Sequence, residues 1–334
     1  MVTVQACSRL HFGLLNPGGG GDAEARHFGG VGLMIERPGL RLHVRASSTW
    51  SAVGPLAERA LAFAQRFVQN CRREEGERDW SPRHLSIEQA APEHAGLGTG
   101  TQLGLSVARA LAVSWGLECD LPTLVRRVSR GRRSALGAHG FQQGGLLVES
   151  GKYSAEQLAP LVSRLAFPEA WRLVLVLPAA EDGSAGLHGT HEVEAFARLA
   201  AGPAEPGRID TLCRLVLLGL LPALVERDLD SFGETLYEFN ARVGEAFAPV
   251  QGGVYASPRV AEMVAFLRGL GVRGVGQSSW GPTVFAVAAD EDHARHLAAR
   301  LRQHFALHDE TVLVTSACNH GASVTNDSSP ESPG

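Results

Sequence analysis

Between residues 92 and 102 the chain reads Pro-Glu-His-Ala-Gly-Leu-Gly-Thr-Gly-Thr-Gln. Three glycines in five residues, Gly96, Gly98 and Gly100, free the backbone for positive φ and for close approach to a ligand. Alternation over residues 84–89 predicts a strand before this loop, and helical spacing over 101–115 predicts a helix after it, with Thr99 and Thr101 as N-cap candidates. A glycine loop that feeds a helix start turns unpaired N–H groups and the positive dipole end toward an anion, most commonly phosphate. No Lys-Ser/Thr follows, so this is not a Walker A loop, and the glycine spacing is not that of a dinucleotide fingerprint. His94, Gly96, Leu97, Gly98, Thr99, Gly100, Thr101 and Gln102 are the binding candidates here.

Residues 129–145 contain no Asp or Glu and hold Arg130, Arg132, Arg133 and His139. A phosphoryl acceptor hydroxyl finds no carboxylate there to take its proton, whereas arginines suit a departing pyrophosphate or, by a bidentate fork, a carboxylate. The plainer reading of the cluster is a solvated loop face. Arg9 and His11 fall on one face at the end of a predicted strand and join Arg133 as catalytic candidates. A second glycine-rich stretch supplies Gly276, Gln277, Ser278, Ser279, Trp280 and Gly281, with Trp280 either stacked on a ring or packed in the core. Arg26 and His27 follow a Pro-Gly-Gly-Gly-Gly-Asp segment at 17–22 that reads as a flexible surface loop able to close over a site. His188, His191 and Glu194 have a weak metal-ligand look, and Glu149 and Glu192 are the carboxylates to test for metal contact. Lys152, the only lysine among 31 basic residues, reads as an exposed amine.

These groups need a scaffold, and the pattern alternates. Strands are predicted at 2–7, 31–36, 40–46, 144–149, 172–178, 283–287 and 311–315. Helices are predicted at 55–71, 101–115, 122–129, over most of 192–247 with breaks at 202–207 and Pro222, from 258, and at 291–305. The expected division is a phosphate-loop domain at 1–180, a second domain at 181–316 and a disordered tail at 317–334. At 334 residues and 44% hydrophobic the chain can bury a large core, and a net charge of −4 provides no global field for nucleic acid or an anionic membrane. Five scattered cysteines without CxxC spacing argue against a zinc site or disulfide framework and fit a reducing compartment. With no signal-like start and no run of 18 apolar residues, the expectation is a cytoplasmic protein.

The order strand, Pro-x-x-x-Gly-Leu-Gly-x-Gly-Thr, helix resembles the phosphate loop of the GHMP superfamily (galactokinase, homoserine kinase, mevalonate kinase), with Thr99-Gly100 where those kinases carry Ser-Ser. Within it the chain resembles the β-ribofuranosylaminobenzene 5′-phosphate synthase family over residues 1–315. The matching segments are 8–15 with 26–33, 99–102, 130–137 leading into 144–148, and 277–282; residues 240 and 251–255 match too, with no chemistry assigned. The resemblance implies an α+β GHMP-kinase-like fold, with an N-terminal portion like ribosomal protein S5 and a C-terminal ferredoxin-like portion. It implies joining phosphoribosyl pyrophosphate to 4-aminobenzoate or its 4-hydroxy analogue with release of CO2 and pyrophosphate, in the building of tetrahydromethanopterin-type carriers. It further implies Mg2+, a 188–192 turn facing the cleft, a homodimer, and small-molecule substrates with no nucleic-acid or membrane partner. An ATP-dependent GHMP kinase and a non-catalytic phosphate-ligand binder are the alternatives.

Overall fold

The computed structural model describes residues 1–17, 26–76, 78–154, 156–177, 194–199 and 207–327. Two long antiparallel strands organise it. β1 (Val2–Asn16) and β2 (Phe28–Ala46) pair from Val2↔Val44 to Asn16↔Phe28. The predicted strand at 2–7 thus continues to residue 16, and the strands predicted at 31–36 and 40–46 are one. The extension of β1 stays mostly buried, which hides the period-2 signal, while the two predicted parts of β2 are joined through Glu36-Arg37-Pro38-Gly39, a polar, partly exposed stretch whose proline reads as a break. Register shifts at Ala6/Ser8 and His11/Gly13 flank the segment carrying Arg9 and His11.

β3 (Ser51–Val53), β4 (Arg83–Gln89), β5 (Leu146–Glu149), β6 (Leu161–Leu165) and β11 (Ser323–Asn326) complete a seven-stranded sheet. Its path is β11-β1-β2-β4-β3, with β5 against β2 and β6 against β5. Helices α1 (Ala57–Glu75), α2 (Thr99–Ser114) and α3 (Leu121–Arg127) share a core with it, in which Leu42 and Leu85 meet Phe67, Leu103, Leu111 and Leu124. α4 (Leu136–Gln143) contacts β1, β2 and β5. α2 is apolar on nearly every side, as a helix surrounded by protein must be.

The second sheet is antiparallel, in the order β10-β7-β9-β8, from β7 (Arg172–Val176), β8 (Val275–Gln277), β9 (Val284–Ala288) and β10 (Val312–Thr315). Between the sheets lie α5 (Arg208–Leu215), a π-helical turn (Val216–Leu220), α6 (Leu221–Glu226) and α7 (Leu229–Gln251). One core unites these helices with both sheets: Leu10, Phe12 and Leu33 of the first, Phe232, Phe239 and Val243 of α7, and Phe285 of the second. α8 (Pro258–Gly269) and α9 (Glu291–Phe305) pack on the second sheet.

Four expectations are corrected. β7 belongs to the second sheet, so the changeover lies between β6 and β7 rather than near 180. The tail expected from residue 317 is ordered to residue 327: β11 pairs with Val2–Gln5, and the Met1 ammonium donates to Asp327 O at 2.7 Å. Backbone pairing on an exposed edge needs no apolar side chains, so composition misleads there. Cys7 and Cys318 form a disulfide across 311 residues, a pairing that spacing cannot reveal. Pro222 does not break the chain: α5, the π turn and α6 run on in right-handed helical backbone, with the π turn ending two residues before the proline. Most of the 17–22 loop, His188, His191, Glu192 and residues 328–334 lie outside the described residues. No helix of the described residues is long and apolar enough to cross a membrane.

Candidate functional site

The start of α2 is built differently from several other helix starts. Asp120, Asp228, Ser257 and Asp290 cap α3, α7, α8 and α9 by accepting a first-turn N–H. The N-cap of α2 is Gly98, at φ +72°, with no side-chain cap. Neither threonine expected as a cap acts as one: Thr99 Oγ1 donates to Pro92 O at 2.8 Å, and Thr101 Oγ1 accepts from Arg130 at 3.2 Å. At Gly98 an added Cβ would lie 3.3 Å from Cβ of Arg9, a tight contact at which Arg9 would have to yield by a few tenths of an ångström. The space that a Cβ on Gly100 would take is filled by the guanidinium of Arg59, which pairs with Glu93 in the loop.

Three distant segments are zipped together beside this helix end. Arg9 N donates to Leu97 O (2.9 Å), and Ser278 Oγ donates to Gly96 O (2.7 Å). His11 N donates to Ser278 Oγ (2.9 Å), and Ser279 N to His11 O (2.8 Å). Asn240 of α7 clamps the join, donating to Phe12 O (2.7 Å) and Gln277 O (2.9 Å) while its Oδ1 accepts from Gln277 N (3.0 Å). That gives Asn240, unassigned on sequence, a positioning role.

The join opens on a cavity of about 250 Å3. Arg9, His11, Gly98, Thr101, Ser279 and the turn from Ser129 to Ser134 make its polar wall; Val243, Phe196, Phe247 and Trp280 make its apolar wall. Trp280 packs against Phe247 at 4.4 Å and Phe196 at 5.2 Å, and the Arg133 guanidinium lies 5.0 Å from the Phe196 ring centre. Arg9, Arg130, Arg132 and Arg133 all reach the wall, and no Asp or Glu lies among the described lining residues. Arginine guanidinium groups are a chemistry suited to anionic ligands.

Two buried groups hold the arginine turn from beneath. Lys152 is only 2% exposed and donates to Gly131 O at 2.8 Å; burial pulls its pKa down. The expectation of a surface amine was wrong because the His27↔Lys152 bridge tucks this residue under the turn. Glu149 is fully buried and accepts from Ala135 N at 2.7 Å, and burial pushes its pKa up. It braces the turn and does not line the cavity. His11, 3% exposed, has a pKa well below the ordinary 6.5, chiefly through burial and secondarily through the charge of Arg9, so its imidazole is neutral at neutral pH.

Of the residues singled out on sequence, Arg9, His11, Gly98, Thr101, Arg132, Arg133, Ser279 and Trp280 therefore meet at the cavity. Gly96, Leu97, Thr99, Gly100, Gln102, Gly276, Gln277, Ser278 and Gly281 stand behind its wall and shape it; Gln102 Nε2, for example, donates to Gly137 O at 2.8 Å. His94 sits in the loop at φ +59° without lining the cavity. Arg26 turns elsewhere, donating to Gly151 O at 3.0 Å and covering the Tyr153 ring. Sequence reasoning missed Arg59, Phe196, Val243 and Phe247, which helices bring in from far along the chain; nothing local in the sequence marks them.

Comparisons with known proteins identify the fold and the family. The structure superposes on the homoserine kinase of Cytophaga hutchinsonii with a TM-score of 0.69 at 16% identity, covering 97% of each chain. On mevalonate diphosphate decarboxylase of Enterococcus faecalis the TM-score is 0.64 at 15% identity, covering 97% of this chain and 98% of the other. Residues 62–145 match the GHMP kinases N terminal domain model and residues 220–307 the GHMP kinases C terminal model. Fold and family models together define a GHMP protein. The chain is 30% identical to β-ribofuranosylphenol 5′-phosphate synthase of Archaeoglobus fulgidus over 97% of its own length and 99% of the relative's. With the namesake enzyme of Methanothermobacter thermautotrophicus identity is 27%, over 87% of this chain and 89% of the other. Within the GHMP superfamily the chain belongs to the β-ribofuranosylphenol 5′-phosphate synthase family.

Proposed function

We propose that this chain transfers the phosphoribosyl group of phosphoribosyl pyrophosphate to a 4-substituted benzoate, with release of pyrophosphate and CO2. The observation that carries this reading is the four-arginine cavity at the open start of α2, with no carboxylate among its described lining residues. The C1–O bond to pyrophosphate breaks as an oxocarbenium-like C1 develops. The ring carbon that bears the carboxylate bonds to C1, and loss of CO2 returns the electron pair that restores aromaticity. Carbon dioxide leaves where a proton otherwise would, so no base has to take a proton. A kinase acting on a hydroxyl needs one.

Arg130, Arg132 and the α2 start hold the donor's phosphates, and Arg9 lies across Gly98 to meet them. Arg133, above Phe196, forks the benzoate carboxylate while Trp280 and Phe247 cover the ring. Neutral His11 exchanges a hydrogen bond with substrate without adding charge. Mg2+ belongs to this reading as a companion of the pyrophosphate oxygens; the described lining residues offer it no carboxylate, so no step here depends on a protein-held ion. The relatives' name specifies a phenol product, which favours 4-hydroxybenzoate over the 4-amino analogue as acceptor, in the synthesis of tetrahydromethanopterin-type carriers.

The test incubates the protein and Mg2+ with phosphoribosyl pyrophosphate and carboxyl-labelled 4-hydroxybenzoate, with 4-aminobenzoate in parallel. Equal release of labelled CO2 and pyrophosphate is expected. Turnover only with ATP and a hydroxylated acceptor, or binding without turnover, overturns the reading.

A further inference from the structure

Apart from the arginine cavity lies a second cluster that the reaction does not use. The Sγ atoms of Cys7 and Cys318 and a ring nitrogen of His320 all lie within 4.8 Å of one another. Cys318 Sγ is 3.8 Å from Nδ1 of His320. The carboxylate of Glu36 closes the group, 3.3 Å from Nε2 of His320 and 3.9 Å from Sγ of Cys7. Two sulfurs, one imidazole and one carboxylate are a donor set for a tetrahedral, borderline-soft ion. Cys7, Glu36 and His320 also line a cavity of about 160 Å3 that shares no residue with the arginine cavity.

We propose that, when Cys7 and Cys318 are thiols, these four side chains bind one Zn2+, so that a metal link and a disulfide are alternative fastenings of the C-terminal segment to the first sheet. The backbone holds the ligands in place without the disulfide. Cys318 N donates to Met34 O (2.8 Å), Gly145 N to Cys318 O (2.7 Å), and Glu36 N to Ser316 O (3.0 Å), while Cys7 lies within β1. A Cα–Cα separation of 6.5 Å leaves both cysteines within reach of a single ion. The positive neighbours are engaged elsewhere: Arg37 donates to Val314 O at 3.0 Å, and Arg41 lies 3.6 Å from the Glu88 carboxylate.

The exchange balances with a thiol reductant. Two electrons and two protons from a dithiol convert the Cys7–Cys318 disulfide to two thiols, the dithiol becoming a disulfide. Zn2+ then displaces both thiol protons and binds the two thiolates, His320 and Glu36. A disulfide oxidant reverses this by thiol–disulfide exchange: it takes two electrons and is itself reduced to two thiols as the sulfurs of Cys7 and Cys318 rejoin and the ion leaves.

The full chain, reduced with a phosphine and freed of metal with a chelator under argon, is titrated with Co2+ alone as a spectroscopic stand-in. A thiolate-to-cobalt charge-transfer band with the d–d bands of a tetrahedral ion is expected to saturate at one Co2+ per chain and to vanish on adding one equivalent of Zn2+. Zn2+ is also expected to shield Cys7 and Cys318, and not Cys71, Cys119 or Cys213, from alkylation read by mass spectrometry. Cys318→Ser abolishes the band, His320→Ala weakens binding at least tenfold, and chain oxidised with diamide binds no Co2+. His320 is exposed, so its replacement leaves folding intact and keeps the test decisive if the cysteine variant misfolds. Absence of the thiolate band in reduced wild type, its persistence in Cys318→Ser, or unchanged affinity in His320→Ala overturns the proposal.

Discussion

Gly98 shows how much one missing side chain decides. Its φ of +72° and the 3.3 Å that an added Cβ would leave to Arg9 tie the loop's conformation to an arginine of the cavity wall. Gly98→Ala adds left-handed strain of about 1 kcal/mol and pushes Arg9 aside. The expected outcome is a small fall in Tm with at least a tenfold loss of phosphoribosyl pyrophosphate affinity by titration calorimetry. Arg133→Ala is expected to lower kcat/KM for the benzoate by roughly 10–100-fold, the worth of a charge-assisted hydrogen bond of about 1.5–3 kcal/mol. Unaltered kinetics would return Arg133 to a merely solvated role. His11 predicts a pH dependence. Its folded pKa is depressed, so the native state holds fewer protons than the unfolded one, and its contribution is complete above the unfolded value of about 6.5. It is lost as pH falls below that, at up to about 1.4 kcal/mol per pH unit, and urea unfolding of His11→Gln should show a shallower acid slope than wild type. Glycines and arginines announce such chemistry in sequence because their types alone limit what they do. Lys152 does not: a lysine reads as solvated until the fold supplies Gly131 O as its partner.

The cavity exists because short elements are fastened to one another, and two side chains carry much of the fastening. Ser278 Oγ serves Gly96 O and His11 N at once, so Ser278→Ala removes this partner from one buried and one partly buried backbone group. A loss of roughly 2 kcal/mol is expected from urea unfolding, with a fall in turnover larger than any change in far-ultraviolet dichroism. Lys152→Met keeps the volume and removes the donor beneath the arginine turn; the expected result is weaker pyrophosphate binding at near-wild-type stability for the rest of the fold. Sequence periodicity located α2, α9 and β9 well because each keeps one period between clear breaks. It failed for β1 beyond residue 7 and for α4. In β1 the extension is buried on both faces, and α4 is eight residues with glycines at Gly137 and Gly140 that pack close against Thr101 and Met34. A helix that short is set by its neighbours rather than by its own pattern.

Across the whole molecule, pairings over hundreds of residues complete what local signals begin. β11 covers the open edge of β1, and the polar run Ser-Val-Thr-Asn hides that function from any compositional reading. A chain ending at residue 322 should expose the backbone of Val2–Gln5 as a free edge, and light scattering on heating should detect association at a lower temperature than for the full chain. The mixed α/β character and the GHMP fold followed from the alternation of patterns and from the family likeness. The disulfide, the changeover before β7 and the aromatic wall did not, since each depends on contacts that only the finished fold creates.

The bond between Met1 and Asp327 spans 326 residues. A ribosome releases the first strand long before its last neighbour exists, so during synthesis the edge of β1 stands bare while nearly everything else is being made. The edge of β1 at Val2–Gln5 therefore waits for residues 323–326 to be made, whereas the loop at 92–102 can form with its neighbours much earlier.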